Sequence, residues 1–282
     1  WEVLKDEAAI KEYEIDDLTL YYMNQHLQNV DLFESYLNNS YYFLYYVMEE
    51  LKRNNLPIEL AFLPYIESSY DPFSISSSGA VGLWQIMPRT ADLLGLKENW
   101  WVEERHDPFK STDAAIRYLD YLHKRFNEDI YLVLVAYNAG PTFTQRAIQK
   151  SQRRNSNLSY KDLPLSVQTR NYIPKFLALI ELINNNEKYN IDLPEIPYLK
   201  VVDKITFEEQ IEILNFSDFL SLKPELLYKL NAGYTKWATD PNMISTFYIP
   251  IENKIKYETD GLEYVQSQKI NWISHYVSRG ES

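Results

Sequence analysis

The chain contains no cysteine, which excludes disulfides and thiolate metal sites together. Histidine is nearly as scarce, with four scattered residues, no HExxH and no close pair, so no zinc spacing is present and no metal or cofactor is expected. There is no run of eighteen apolar residues and no signal-peptide pattern, so no ordinary membrane-spanning helix is expected. Basic residues are outnumbered 28 to 40, giving a net charge of −12. That balance argues against a nucleic-acid partner, whose phosphates call for a basic face. Glycine is also sparse, seven against thirteen prolines, and the abundance of Leu, Ile and Tyr points to a mainly helical protein.

Apolar residues make up 45% of the 282, enough for a substantial core, and the length favours two domains over one. Residues 14–53 read as helices, with Tyr41, Tyr42, Tyr45 and Tyr46 on one face at i, i+4 spacing. That stripe is read as packing. Residues 57–68 are apolar nearly all round, the pattern of a buried helix, with Pro57 suited to its first turn. A Ser-, Pro- and Gly-rich loop follows from Ser69 to Val81, and then a short helix is expected over Gly82–Leu94. The next helix is expected to be capped by Ser111 or Thr112 and to bury Ile116, Leu119, Leu122 and Phe126. Residues 130–138 form another, stopped at Gly140, and Pro141 opens its successor. Residues 166–187 give a last long helix with a kink at Pro174.

Beyond Pro194 and Pro197 the pattern changes. YLKVVDKI and STFYIPI read as strands, flanking the helical stretches FEEQIEIL and KPELLYKLN. The expected fold is therefore mainly α, followed by a small β-α-α-β domain. The divisions are an N-terminal helical segment over 1–55 packing on a main domain over 56–193, the small domain over 194–256, and a linker from 257.

Within LAFLPYIESSYDP, Leu60 to Pro72, a long apolar run ends in Glu67. A carboxyl at the end of a buried helix is penalised for its charge, so its pKa rises and it keeps its proton near neutrality, as a general acid must. A helix-end carboxylate facing water or paired with arginine is the alternative for Glu67 taken alone. Downstream lie SSSGAVGLWQIMP, AYNAG and QTRNYIP, which hold Gly79, Gly82 and Gly140, three of only seven glycines. Such clustering in a helical protein marks tight turns or backbone brought close to a ligand.

ES at Glu67, GLWQIMP from Gly82, AYNAG from Ala136 and TRNY from Thr169, in this order, resemble the lytic transglycosylases of the soluble-type, goose-lysozyme-like superfamily. The likeness is strongest to the membrane-bound D subfamily, through LPIELAFLPYIES, LPLSVQTRNYIPKFLAL and NAGYTKWATDP, and spans roughly residues 15–282. It implies a lysozyme-like helical catalytic domain acting on peptidoglycan glycan strands. Cleavage between N-acetylmuramic acid and N-acetylglucosamine would leave 1,6-anhydro ends without consuming water. Glu67 would be the single catalytic acid and base. Ser68, Ser76, Gln85 and Met87 fall at substrate-contacting positions, Tyr137 near the catalytic carboxyl, Asn138 in the turn beside it, and Tyr172 on the cleft wall. Read from the residues alone, Met87 and Tyr172 serve equally as core and Ser76 as a turn residue. Gln168 stands where the family commonly has glutamate, and an amide cannot carry charge.

Two other readings remain: a lysozyme-like muramidase, for which Asp71 and Asp107 are the nearest second carboxylates, and a non-catalytic peptidoglycan-binding protein. SYDP and RHDP read better as turns, with the aspartates on backbone amides. The small domain resembles a diverged LysM module, a fold that binds N-acetylglucosamine-containing glycans, although the glycine of its first turn is missing. The final HYVSRGES resembles the opening of a further LysM repeat continuing beyond Ser282. The resemblance also implies a periplasmic enzyme held at the outer membrane by a lipid anchor outside these residues.

Overall fold

The computed structural model describes residues 1–152, 159–268, 270, 277–278 and 280–281. They form two compact units, one of Trp1–Lys97 with Glu104–Lys200, the other of Glu98–Glu103 with Val201–Ser282. The first is helical among its described residues. The apolar stretch expected as one buried helix is a 3-10 turn, Ile58–Phe62, running into a helix, Leu63–Ser68. Pro64 explains the change, because it has no N–H to continue the earlier ladder and suits a first helical turn. Everything from Ile58 to Tyr65 is buried, including Glu59 at 1% exposure. The Glu59 carboxylate accepts hydrogen bonds from the amides of Ala9 (3.1 Å) and Ile10 (2.6 Å), which satisfies a buried charge and ties residues 1–55 into the same unit. The tyrosine stripe packs as expected: Tyr46 donates to Asp113 at 2.6 Å and its ring meets Phe109.

Three expected boundaries move, each for a local reason. The helix expected over Gly82–Leu94 begins only at Pro88. Residues 82–85 form a tight turn closed by a Val81↔Ile86 bridge. Gly82 (φ +78°) and Gln85 (φ +48°) are left-handed there, which a right-handed helix cannot include. The helix expected to start at Ser111 or Thr112 runs from Pro108 to Arg125 and is capped by Asp107, whose Oδ1 accepts from the amides of Phe109 and Lys110 at 3.0 Å. Ser111 and Thr112 lie inside the helix and donate back to the carbonyls of Asp107 and Pro108. The last long helix is divided at Asn171 into Val167–Arg170 and Tyr172–Asn184. Pro174 occupies the first turn of the second piece, where its missing N–H costs nothing, so no kink arises at it. The helix Ile130–Ala139 ends at Gly140, and Pro141–Gln152 follows.

The second unit has the expected β-α-α-β order. Strand β1 (Val202–Phe207) pairs antiparallel with β2 (Ser245–Pro250), in the register Val202↔Pro250 to Phe207↔Ser245. Between them come the helices Ile213–Leu220 and Pro224–Leu230. The first starts six residues later than FEEQIEIL implies. Phe207, Phe216 and Phe247 form its centre, with ring centroids 5.6–5.7 Å apart. Residues 257–267, expected as linker, instead make a π turn, Tyr257–Gly261, and a helix, Leu262–Ser267. Tyr257, Tyr264 and Val265 share one helical face and cover Phe216 and Phe219, which is why the segment folds. Residues 98–103 belong here too, through Glu103 N–H to Gly233 C=O (2.8 Å) and Thr235 N–H to Trp101 C=O (2.9 Å). Four of the eight residues of the LysM-like opening in HYVSRGES lie outside those described.

Gly82 gives a direct test of the turn. A Cβ there would sit 2.0 Å from the carbonyl oxygen of Arg105, on a backbone already left-handed. Gly82→Ala is expected to cost about 2–6 kcal/mol, from strain and overpacking combined. Scanning calorimetry should show the melting temperature of this unit falling by about 5 °C or more.

Candidate active site

Glu67 lies in the last turn of Leu63–Ser68, and the chain beyond it is held unusually firmly. Ser69 (φ +53°) and Tyr70 (φ +58°) are both left-handed, a costly pair for non-glycine residues. Their amides close back on the helix, Ser69 N–H to Tyr65 C=O at 2.8 Å and Tyr70 N–H to Pro64 C=O at 3.1 Å, which satisfies two carbonyls of its end. Asn39 donates to the Ser69 carbonyl, and the buried Tyr70 hydroxyl donates to the Ala61 carbonyl at 2.6 Å. The direction of Glu67 is thereby set by backbone geometry.

Ser68 faces the other way. Its hydroxyl bridges the carbonyls of Pro64 (3.1 Å) and Leu83 (2.9 Å), fastening the helix to the 82–85 turn. That turn is pinned twice more: the Trp84 indole donates to Thr112 at 2.9 Å, and its carbonyl accepts from the Tyr137 hydroxyl at 2.8 Å. Gln85 spends its amide nitrogen on the carbonyls of Gly82 (2.9 Å) and Ser74 (3.2 Å). This self-bonding stabilises its left-handed backbone and leaves its Oε1 without a partner among the described residues.

The Glu67 side chain is partly exposed as a whole, yet its carboxyl is largely enclosed by protein. Burial pushes its pKa from an ordinary 4.5 up to about 7; the hydrogen bond from Tyr172 and the charge of Lys175 pull it down, by less. The Tyr172 hydroxyl donates to Glu67 Oε1 at 2.5 Å. Tyr172 is 4% exposed and opens the helix Tyr172–Asn184. Burial, then the charge of Glu67, drives the hydroxyl pKa of both Tyr172 and Tyr137 well above normal, so both phenols stay protonated as donors.

Beside this cluster is a cavity of about 260 Å3 whose walls include Gln85, Met87, Tyr118, Tyr137 and Asn138, and no carboxylate. Of the residues singled out in the sequence, Gln85, Met87, Tyr137 and Asn138 therefore share one cavity. Met87 is 42% exposed, so it is not core. The phenol that bonds Glu67 is Tyr172, expected on the cleft wall; Tyr137 donates to the Trp84 carbonyl and lies near enough to Glu67 to feel its charge. Ser76 is a turn residue, its hydroxyl accepting from the Ala80 amide at 2.9 Å. Gln168 is exposed on the short helix Val167–Arg170 and lines no part of the cavity. Asp71 accepts from the Phe73 amide and Asp107 caps its helix. Sequence reading missed Tyr118 and Lys175; the position of Lys175, one turn after Tyr172 in a helix, was the available signal.

Two measurements follow. An acid whose folded-state pKa is raised favours folding most below its unfolded value and loses that contribution as pH climbs to the folded one. For Glu67 the window runs from 4.5 to about 7, which at about 1.4 kcal/mol per pH unit amounts to about 3 kcal/mol. Glu67→Gln should therefore stabilise the protein against urea at pH 8, with little effect at pH 4. Tyr172→Phe removes a donor to the charged carboxylate and should raise the Glu67 pKa further, read from the 13C shift of its carboxyl during titration.

Comparison with known proteins accords with this arrangement. Residues 45–159 match the family described as Transglycosylase SLT domain. Membrane-bound lytic murein transglycosylase D of Escherichia coli (strain K12) is 32% identical over 191 residues, covering 68% of this chain and 42% of that protein. A putative tributyltin chloride resistance protein of Alteromonas sp. (strain M-1) is 39% identical over 128 residues, 45% of this chain and 58% of that one. The chain thus spans less than half the length of the first relative. Among solved structures, the 70 kDa soluble lytic transglycosylase SLT70 of Escherichia coli aligns with a TM-score of 0.39 at 26% identity, over 46% of this chain and 22% of that chain. Through the SLT domain that contains Glu67, Gln85 and Tyr137, the chain belongs to the lytic transglycosylase family.

Proposed function

We propose that this chain is the catalytic part of a peptidoglycan lytic transglycosylase. The observation that carries the reading is a single enclosed carboxyl, Glu67, with a pKa raised to about 7 and a phenol donating to it, beside a cavity lined by amides and aromatic rings. At pH 7 such a group is about half protonated, so it both gives and takes a proton in the working range.

Glu67 gives its proton to the oxygen bridging N-acetylmuramic acid and N-acetylglucosamine. The C1–O bond breaks and charge develops at C1 as an oxocarbenium-like centre. The carboxylate then accepts the proton of the C6 hydroxyl of the same sugar, and that oxygen closes on C1. Glu67 ends protonated as it began, a 1,6-anhydro ring has formed, and no water has been used. An internal hydroxyl needs no separate base to hold and activate it, because its proximity is built into the ring. Two-carboxylate hydrolysis needs a second acidic group across the sugar. Asp71 and Asp107, the nearest candidates, are engaged with backbone amides, which favours the non-hydrolytic route over a muramidase.

In this reading Tyr172 holds the carboxyl in place, and Gln85, Met87, Asn138 and Tyr137 contact the glycan. Ser68 and Ser76 shape the backbone around the cavity, and Gln168 stands apart from it. The catalytic portion corresponds to 56–193, and the β-α-α-β unit is read as a diverged LysM-like module that packs as a separate domain or takes glycan. The name of the Escherichia coli relative supports a membrane-associated setting, and a peptidoglycan substrate places it in the periplasm. No helix among the described residues is long and apolar enough to cross a membrane.

The test is product analysis on purified sacculi. Wild-type protein should release 1,6-anhydromuropeptides, and Glu67→Gln should release at least a thousandfold less while retaining its circular dichroism spectrum. Near-normal turnover by that variant would remove Glu67 from its role, and reducing muramic acid ends from the wild type would replace transglycosylation with hydrolysis.

A further inference from the structure

The motif RHDP, expected only as a turn, begins one residue after Glu104 in a run of four ionisable side chains. Glu104, Arg105 and Asp107 are buried and His106 is half-buried. Such residues are enclosed only when each has a partner, and here each is committed to a different stretch of chain. Glu104 accepts from the Lys97 amide (2.8 Å) and the Lys110 ammonium (2.7 Å), and Asp107 caps its helix. The middle pair reaches elsewhere. The Arg105 guanidinium donates to the carbonyls of Gly79 (3.0 Å) and Ile86 (3.4 Å), and His106 Nδ1 donates to the Pro72 carbonyl (2.7 Å). We propose that Arg105 and His106 are positioning residues that latch the 72–86 segment in place as one wall of the glycan site; the identity of that ligand rests on the function proposed above.

The first argument is what the segment lacks by itself. Residues 73–79 are all exposed or half-buried, with Phe73 and Ile75 among the exposed. Apolar burial therefore cannot fix this stretch, and polar contacts at its two ends take over that task. His106 holds one end at Pro72, and Arg105 holds the other at Gly79. The same arginine also meets the segment through its backbone, since its carbonyl lies against Gly82 with no room for a side chain between them.

The second argument is what the segment carries. The Ser74 carbonyl accepts from the Gly82 amide (2.9 Å) and from Gln85 Nε2 (3.2 Å), so the setting of Gln85 depends on where Ser74 stands. Ile86 shares its carbonyl between Arg105 and the Val81 amide (3.2 Å). Gln85, Ile86 and Met87 line the cavity beside the acid. The latch is thus one or two bonds removed from the wall that a glycan would touch.

The third argument separates binding from chemistry. Glu67 and its donor Tyr172 stand on other helices, Leu63–Ser68 and Tyr172–Asn184. Loosening the wall weakens the grip on glycan equally before and during bond cleavage, which raises KM and leaves kcat. A carbonyl can only accept, so His106 Nδ1 carries its hydrogen, and it does so in both the neutral and the cationic ring. The latch therefore holds across the pH range in which Glu67 changes charge.

The experiment is steady-state kinetics on soluble glycan strands, with all released ends, anhydro and reducing, counted by mass spectrometry. The variants are His106→Leu, which removes the donor, His106→Asn, whose amide nitrogen replaces Nδ1, and Arg105→Lys, which puts a point charge in place of a planar fork. KM should rise about fivefold or more in His106→Leu and Arg105→Lys with kcat within about twofold, and His106→Asn should return KM to within about twofold of wild type. The pH midpoint of activity, set by Glu67 at about 7, should not move. Deuterium uptake by residues 73–80 should quicken in the same two variants. An unchanged KM in His106→Leu, a fall confined to kcat, a shifted pH midpoint or no recovery in His106→Asn would overturn the proposal. Product chemistry keeps the two readings apart. Reducing ends from the wild type would defeat transglycosylation and leave the latch standing, anhydro ends with unaltered KM in the variants would defeat the latch alone, and a wild type that releases neither would defeat both.

Discussion

Keeping one carboxyl mostly out of water while leaving a side of it approachable requires several chain segments to close around Glu67 without filling the adjoining space. A buried helix end supplies the acid, the first residue of another helix supplies its hydrogen-bond donor, and a tight turn at 82–85 supplies the wall. The opposing effects at Glu67 are unequal. Loss of hydration outweighs both the phenol of Tyr172 and the charge of Lys175, so the proton is retained well above the usual carboxylate range. With more donors on the carboxylate, the group would ionise at acidic pH and cease to be an acid at neutrality.

The cost of that arrangement is visible in the backbone. Ser69, Tyr70 and Gln85 are non-glycine residues in left-handed conformations close to the acid, each worth of order 1–3 kcal/mol of strain. Local bonds compensate: the amides of the first two close onto the Tyr65 and Pro64 carbonyls, with the buried Tyr70 hydroxyl adding a further anchor, and the side-chain amide of Gln85 folds onto its own turn. Strain concentrated at a site and offset by its surroundings is a common mark of function.

These same features explain what could be read from the sequence. The acid was legible less from the apolar run that ends in it, which a helix-end carboxylate would also explain, than from the ordered motifs GLWQIMP, AYNAG and TRNY downstream. The two strands and two helices of the second unit were legible from β-branched runs and amphipathic spacing, and 257–267 was missed because its apolar stripe is short and begins in a π turn. The 82–85 turn was read as helix because Leu83, Trp84 and Ile86 look helical by composition. Nothing in the one-letter code announces that Gln85 will fold its side chain onto its own backbone. Asp107 was passed over as a cap because Ser111 and Thr112 are stronger signals locally; only Asp-Pro at a helix start distinguishes the true beginning. Among the phenols, the resemblance placed Tyr137 near the acid, while the bond to Glu67 came from Tyr172, 105 positions away from it.

The assignment of residues 98–103 to the second unit makes the order of synthesis matter. Trp101 is 7% exposed, and its carbonyl accepts from Thr235, a residue that leaves the ribosome long after it. Until then the tryptophan and the neighbouring amides lack their mates, so this short excursion can mature only after the C-terminal portion has been made. A protein cut at residue 200 would be left with an orphaned indole rather than a cleanly separated half.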